Sequence, residues 1–434
     1  PLRDQPDVLL IDEGETYRLI EAEIRAMRNS MRTDRIHIGM DEAHGVGLGE
    51  YLLRHGQTDR FDLLSRHLTR VVGICEKYGF RPMMWSDMFF RLGSPTNEYY
   101  DGTTVVPQRV IDSLPPVDMV YWDYYHEDGA FYDHMLAQHA RMGKHTVFAG
   151  GAWTWSGFLP HVKRTQATMR PALAACARHR VQTVIATMWG DDAAETDVFL
   201  ALGLLPIFSE ACWQGEGCQQ EEIDLAGACV SGLPGGALSA MGEFYRDAGE
   251  LAAGKGLIWS DLLYPLLQVQ GSALDAELAR MKKAQQVLAA LNEKEENPEL
   301  AYAVCVFETA LAKGEAVREI RARYLARDKA WLGEFAQSGI PSLMRQYDAL
   351  LAAHRALWER DLKRFGWEII CLRYGSMQGR LFDVQRVILR YLAGEIDRIE
   401  ELEETPLDPA RSVQWYQTAI SPSAGMGVGM RFPI

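Results

Sequence analysis

The stretch RIHIGMDEAHGVGLGEYL, residues 35–52, decides the reading of this chain. It opens with a short apolar run and then sets two carboxylates side by side, Asp41 and Glu42. Adjacent acids repel, so a strand end that carries both invites a chemical explanation. Read as a strand over 35–41, its side chains alternate. Ile36, Ile38 and Met40 would share the face that packs on helices, and His37, Gly39 and Asp41 would point inward. Glu42 would sit at the tip, so the two carboxyls would meet different surroundings.

Four further runs share the character of the first. They are RPMMWSDMFF (81–90), VDMVYWDYYH (117–126), HTVFAGGAWTW (145–155) and VQTVIATMWGDD (181–192). Each is rich in β-branched or aromatic residues. The stretches between them, such as FDLLSRHLTRVVGICEKYGF, space apolar residues at i, i+3, i+4 and i+7, the period of an amphipathic helix. Alternating strand and helix signals predict an α/β fold with a parallel sheet. All five runs end in acids and aromatics: DEAH, WSD, WDYYH, WTW and WGDD. In a (β/α)8 TIM-type barrel that end of the strands forms the active-site face.

Helix-capping acids would be the ordinary explanation for a bare Asp-Glu. The tryptophans at the other strand ends shift the balance, because sugar rings stack their C–H faces on indoles. Two carboxylates in unlike environments are what glycosidic cleavage needs, with one kept protonated to serve the leaving oxygen. His37, Asp41, Glu42 and His44 are also metal-ligating residue types, but their spacing fits no HExxH-type helical motif, and no metal or cofactor is expected. His44 is expected to orient the loop, and the glycines of HGVGLGEY to let it turn tightly.

The chain has 434 residues, 47% hydrophobic and 24% charged, with a formal net charge of −14. That charge argues against nucleic acid as a partner, since phosphate contacts need clustered Lys and Arg. No stretch approaches the roughly 20 apolar residues of a membrane helix, so no membrane partner is expected. Seven scattered cysteines without a CxxC pair read as reduced thiols in a cytoplasmic protein. Three segments are expected: a catalytic partial barrel over 1–214, a Gly- and Cys-rich linker over 215–239, and an α-helical region over 240–434 that ends in a loop-like tail. A homodimer through the C-terminal helices is one expectation for assembly.

HIGMDEAH resembles the signature of glycoside hydrolase family 20, the β-N-acetylhexosaminidases: His or Asn, any residue, Gly, a small residue or Met, then Asp-Glu. The longer RIHIGMDEAHGVGLGEYL, together with LRYGSMQGRL and RYLAGEIDRIEELEE, is similar to the bacterial cytoplasmic branch and its hexosaminidase D relatives. The resemblance spans residues 5–404. It implies substrate-assisted retaining catalysis, in which the 2-acetamido oxygen of the substrate attacks the anomeric carbon to form an oxazolinium ion. Glu42 would be the general acid and then the base. Asp41 would hold the acetamido N–H and stabilise the developing positive charge.

By the same resemblance Trp85, Trp122, Trp153 or Trp155, and Trp189 would line the sugar pocket. Asp191 would bind sugar hydroxyls, and Tyr124 or Tyr125 would contact the acetamido carbonyl. The partner would be an N-acetylhexosamine-terminated glycan or glycoconjugate. In an eight-stranded barrel the motif strand is the fourth, yet a single helix, ETYRLIEAEIRAMRNSM, dominates the 34 residues before it. An incomplete barrel of about five βα units with two unprotected edges is therefore expected. Alongside the hexosaminidase stands a second expectation, an inactive or sugar-binding truncated remnant of the family. A third is a two-carboxylate glycosidase with its own nucleophile.

Overall fold

The computed structural model describes residues 2–190, 195–217, 219–249, 253–263 and 272–405. The chain enters through a short antiparallel hairpin, β1 (Arg3–Gln5) and β2 (Val8–Leu9), that no sequence pattern announced. A helix over Gly14–Ser30 follows, as the periodicity of that segment requires; Tyr17, Ile20 and Ile24 form its buried face.

The five runs then form one curled parallel sheet in chain order: β3 (Arg35–His37), β4 (Arg81–Trp85), β5 (Asp118–Trp122), β6 (Thr146–Gly151) and β7 (Val184–Thr187). Every strand is followed by helix. Arg60–Lys77 after β3 shows why. Asp59 caps it by accepting from the Asp62 N–H, and Leu64, Leu68, Val71, Val72 and Cys75 recur at helical spacing on its buried side. Packed on the sheet, such faces complete a core that includes Met84, Met119, Val120, Tyr121, Val147 and Phe148.

β3 is shorter than the sequence suggested. It stops at His37, and Gly39, Met40 and Glu42 all take positive φ, at +71°, +75° and +49°. Strand alternation therefore ends before the carboxylate pair, and Met40 and Glu42 hold a backbone conformation that non-glycine residues seldom adopt. The segment is still tied to the sheet. The Ile38 N–H donates to the Met83 carbonyl at 2.9 Å, and the Trp85 N–H donates to the Gly39 carbonyl at 3.1 Å.

On its other edge β3 has no strand partner among the described residues. Ile36, Ile38 and Met40 there border a cavity of about 400 Å³, with Leu9 and Ile24 opposite and Asp41 on its rim. β7 is the other edge of the sheet.

The glycine loop that carries the pair away from β3 wraps a buried aspartate. Asp4, in β1, accepts from the backbone N–H groups of Gly47 (2.6 Å), Gly49 (3.1 Å) and Tyr51 (2.8 Å). Gly47 has φ +74°, and a Cβ at Gly49 would overlap the Asp4 carbonyl oxygen. These two glycines are therefore required for the loop to close on the hairpin.

The remainder is helical. The stretch expected as a linker holds a helix over Gln220–Ser231, with a Gln219/Glu222 capping box at its start and Gly232 in the left-handed region at its end. Long helices at Ser272–Asn292, Pro298–Leu325, Ile340–Asp361 and Trp367–Leu392 build a second core. That core takes in Phe158, Leu159 and Leu200 from the loops after β6 and β7. The six described cysteines are free. Among the described residues no helix is long and apolar enough to cross a membrane. The tail from 406 onward lies outside the described residues.

Candidate active site

Asp41 and Glu42 emerge at the C-terminal tip of β3, both exposed. Their neighbours differ. The Asp41 carboxyl folds back towards Gly39, within 3.8 Å of where a Cβ would stand, and borders the cavity behind β3. On that side the carboxyl is screened from water although the residue as a whole is exposed; this desolvation, partly countered by its own backbone N–H, pushes its pKa above the usual aspartate value, and the charge of Glu42 adds to the rise. Glu42 lies near the Tyr99 hydroxyl, whose pKa is raised by burial first and by the Glu42 charge second. Tyr99 also meets His44 Nε2 at 2.9 Å, so His44 braces a tyrosine rather than the loop backbone alone.

Asp87, the acid of WSD, is the group that sequence reasoning missed. It is fully buried. Its Oδ2 accepts from the Glu42 backbone N–H at 3.0 Å and its Oδ1 from the Trp122 indole Nε1–H at 3.1 Å. Burial, opposed by the two N–H donors and reinforced by the charges of Asp41 and Glu42, holds this carboxyl up at about 7. Ser86 beside it is pinned by Val120, His139 and Tyr100, which fixes where β4 ends.

The aromatic residues fall into two connected groups. Trp85 lies between His37 (ring centroids 4.3 Å) and Trp189 (6.0 Å). His37 Nδ1 accepts from the Gly39 N–H at 3.0 Å, which puts the ring proton on Nε2, a buried atom with no partner among the described residues. Burial lowers the pKa of this ring to about 4, so it is neutral at pH 7.

In the second group Tyr99, Trp122 and Tyr124 follow one another at 5.1 and 5.4 Å, and Trp155 stands 5.1 Å beyond Tyr124. Asp123, 1% exposed, accepts from the Tyr121 hydroxyl, the Tyr125 N–H and the His126 ring, and so shapes the turn that presents Tyr124 and Tyr125. The Thr154 hydroxyl donates to the Trp189 carbonyl at 2.6 Å and joins the ends of β6 and β7.

Of the aromatic residues expected to bind sugar, Trp189 (37% exposed) and Tyr125 (36%) offer open faces, and Trp85 is half-buried. Trp122 and Tyr124, each 6% exposed, show little more than an edge. Trp153 is fully buried, stacked on Trp155 at 4.3 Å and bonded through its indole N–H to the Tyr124 carbonyl. Trp155, also buried, packs against Tyr124, and Trp153 against Tyr125. Asp191 lies outside the described residues.

Residues 246–420 match the family model of the Glycoside Hydrolase 20C C-terminal domain. The matched segment holds the long C-terminal helices. No curated protein matches. Among solved structures, the chain is similar to the X-ray structure of the Flavobacterium johnsoniae chitobiase, with a TM-score of 0.34 and 10% identity over 91% of this chain. The chain spans 56% of that protein's length.

The segment matching the 20C C-terminal domain is built into the strand-end loops. Glu195, after β7, is 3% exposed and forms ion pairs with Lys255 (2.9 Å) and Arg373, while the Trp259 indole N–H donates to it at 2.5 Å. The Tyr302 hydroxyl donates to the Glu195 and Phe158 carbonyls, at 3.0 and 3.2 Å. Lys255, Trp259, Tyr302 and Arg373 all belong to the matched segment, so that segment braces the loops after β6 and β7.

Proposed function

We propose that this chain carries the catalytic carboxylates of an exo-acting β-N-acetylhexosaminidase. Its substrate is a glycan or glycoconjugate ending in β-linked GlcNAc or GalNAc. The observation that carries this reading is the different surroundings of two adjacent carboxylates beyond a strand end: Glu42 near Tyr99, Asp41 beside Gly39 and the cavity at the β3 edge. Such a pair can serve two parts of one sugar at once. Glu42 gives its proton to the leaving oxygen while the substrate's acetamido oxygen attacks the anomeric carbon. Asp41, as the carboxylate, accepts the acetamido N–H and stabilises the positive charge that spreads onto the resulting ring. Water then opens the oxazolinium ion, with Glu42 as its base.

The exposed faces of Trp189 and Tyr125, with Trp85, provide stacking surfaces for the sugar. Tyr124 or Tyr125 reaches the acetamido carbonyl, and Asp191 a ring hydroxyl. The match of residues 246–420 to the 20C C-terminal domain supports the same reading.

The test is hydrolysis of an aryl N-acetyl-β-glucosaminide by the full chain, with Glu42→Gln and Asp41→Asn beside it. Expected are turnover by the parent chain, inhibition by a thiazoline that mimics the oxazolinium, and loss of about 100-fold or more in each variant. Sugar binding by calorimetry without turnover by the parent chain would select the sugar-binding alternative instead.

A further inference from the structure

Three strand ends meet at one buried side chain. Asp87 begins the short helix after β4 (Asp87–Arg91), Glu42 belongs to the loop after β3, and Trp122 ends β5. The Asp87 carboxyl has one oxygen for each neighbour, and both bonds have ordinary length, 3.0 and 3.1 Å. Glu42 needs such a partner. Its φ of +49° is unfavourable for a residue with a Cβ, and it follows Met40 at +75°. A backbone held in this region persists where its surroundings over-determine it. The Asp87 acceptor supplies that constraint for Glu42, and Trp122 is bound through the same carboxyl.

We propose that Asp87 is a positioning residue: it fixes the backbone of Glu42, and with it the direction of the Glu42 carboxyl, and it sets the Trp122 ring in register with that carboxyl. The inference rests on the reading of Glu42 as the acid. It goes beyond that reading by naming what holds the acid in place. The titratable groups facing Asp87 are Asp41 and Glu42 from the loop after β3, and Tyr99 and Tyr100 from the segment after β4. Asp87 therefore works as an acceptor of neutral N–H groups.

Asp87→Asn is the discriminating variant. It keeps the shape but turns one oxygen into a donor, so one of the two N–H groups loses its acceptor. After thermal melting has shown the variant to be folded, kcat and KM are measured on two substrates. One is an activated aryl N-acetylglucosaminide, and the other a disaccharide with a poor leaving group. A misdirected Glu42 costs most where proton donation matters most. Expected is a fall in kcat of about 100-fold on the disaccharide against less than about tenfold on the aryl substrate, with KM changed by less than about threefold. A purely structural Asp87 would lower the melting temperature and leave the ratio between substrates at its parent value; that result overturns the proposal.

A second measurement needs neither the variant nor turnover. In the parent chain, hydrogen exchange of the Glu42 amide is compared with its loop neighbours. Glu42 is exposed, so a protected amide there requires an acceptor, and rapid exchange would overturn the proposal even if the variant failed to fold. Protection at Glu42 in a parent chain without turnover would leave the geometry standing and dismiss the enzymatic reading.

Discussion

Asp87 at the end of β4 and Glu195 after β7 are both carboxylates withdrawn from solvent, at 0% and 3% exposure, and their surroundings pull them in opposite directions. Asp87 meets two neutral donors, from Glu42 and Trp122, and two neighbouring acids. Burial wins, and its pKa rises to about 7. Burial also acts on Glu195, but the Lys255 and Arg373 charges outweigh it and hold the carboxyl below its usual range. A buried acid matched by cations is locked in one charge state and fixes elements to each other. A buried acid matched by dipoles sits near neutrality, where its charge can change. The first kind joins the C-terminal helices to the strand-end loops; the second lies beneath the candidate catalytic pair.

The largest effect should come from breaking the first kind. Glu195→Ala leaves two buried cations without this carboxylate and should cost up to about 5 kcal/mol in chemical denaturation. A cost under about 1 kcal/mol would mean that the helices do not depend on the ion cluster.

Asp87 gives the next effect, and its sign is opposite to that of an ordinary paired carboxylate. Its folded pKa lies above its unfolded value, so the folded state binds the proton more tightly. Stability is then unaffected below about pH 4, falls as pH rises towards 7, and carries the full cost above it, about 4 kcal/mol for a shift from 3.8 to about 7. Denaturation curves across this range should show the fall, and Asp87→Asn should flatten it. An unchanged slope in the variant would remove Asp87 as its source.

A smaller loss is expected at Asp123, which shapes the turn before Tyr125. Asp123→Ala removes an acceptor shared by a hydroxyl, a backbone N–H and a His ring, and should cost about 2–3 kcal/mol. At the bottom of the series is the exposed cluster of Arg109 with Asp59 and Asp62. Arg109→Ala should leave the melting temperature unchanged, since surface pairs gain little. A clear drop there would erase the distinction between buried and exposed carboxylates.

The sheet was legible in the sequence because its strands are short β-branched and aromatic runs whose ends change chemistry together. The hairpin was not, since strands of three and two residues carry no period. The run from 35 to 41 was read as a longer strand than it is. Alternation does not reveal the positive φ of Met40 and Glu42, which long-range partners impose. Gly- and Cys-rich composition over 215–239 hid the helix Gln220–Ser231, although Gln219, Glu222 and Gly232 are its end signals.

In the candidate site, the pair and its aromatic residues were visible as strand endings. Their ranking was not: Trp153 and Trp189 look alike in sequence, yet one is fully buried and the other 37% exposed. Tyr99 left no signal at all. WSD displayed an acid at Asp87, but its partners lie 45 residues upstream and 35 downstream. Glu195 finds Trp259 and Arg373 64 and 178 residues away.

The contrast between the two carboxylates can be read directly by carbon-13 NMR of the full chain labelled at Asp and Glu carboxyls, with Asp87→Asn and Glu195→Gln used to assign the signals. Expected is an Asp87 carboxyl that titrates with a midpoint near 7 and a Glu195 carboxyl that titrates below its usual range. An Asp87 midpoint near the ordinary aspartate value of about 4, or a Glu195 that takes up its proton at higher pH than Asp87, would contradict it.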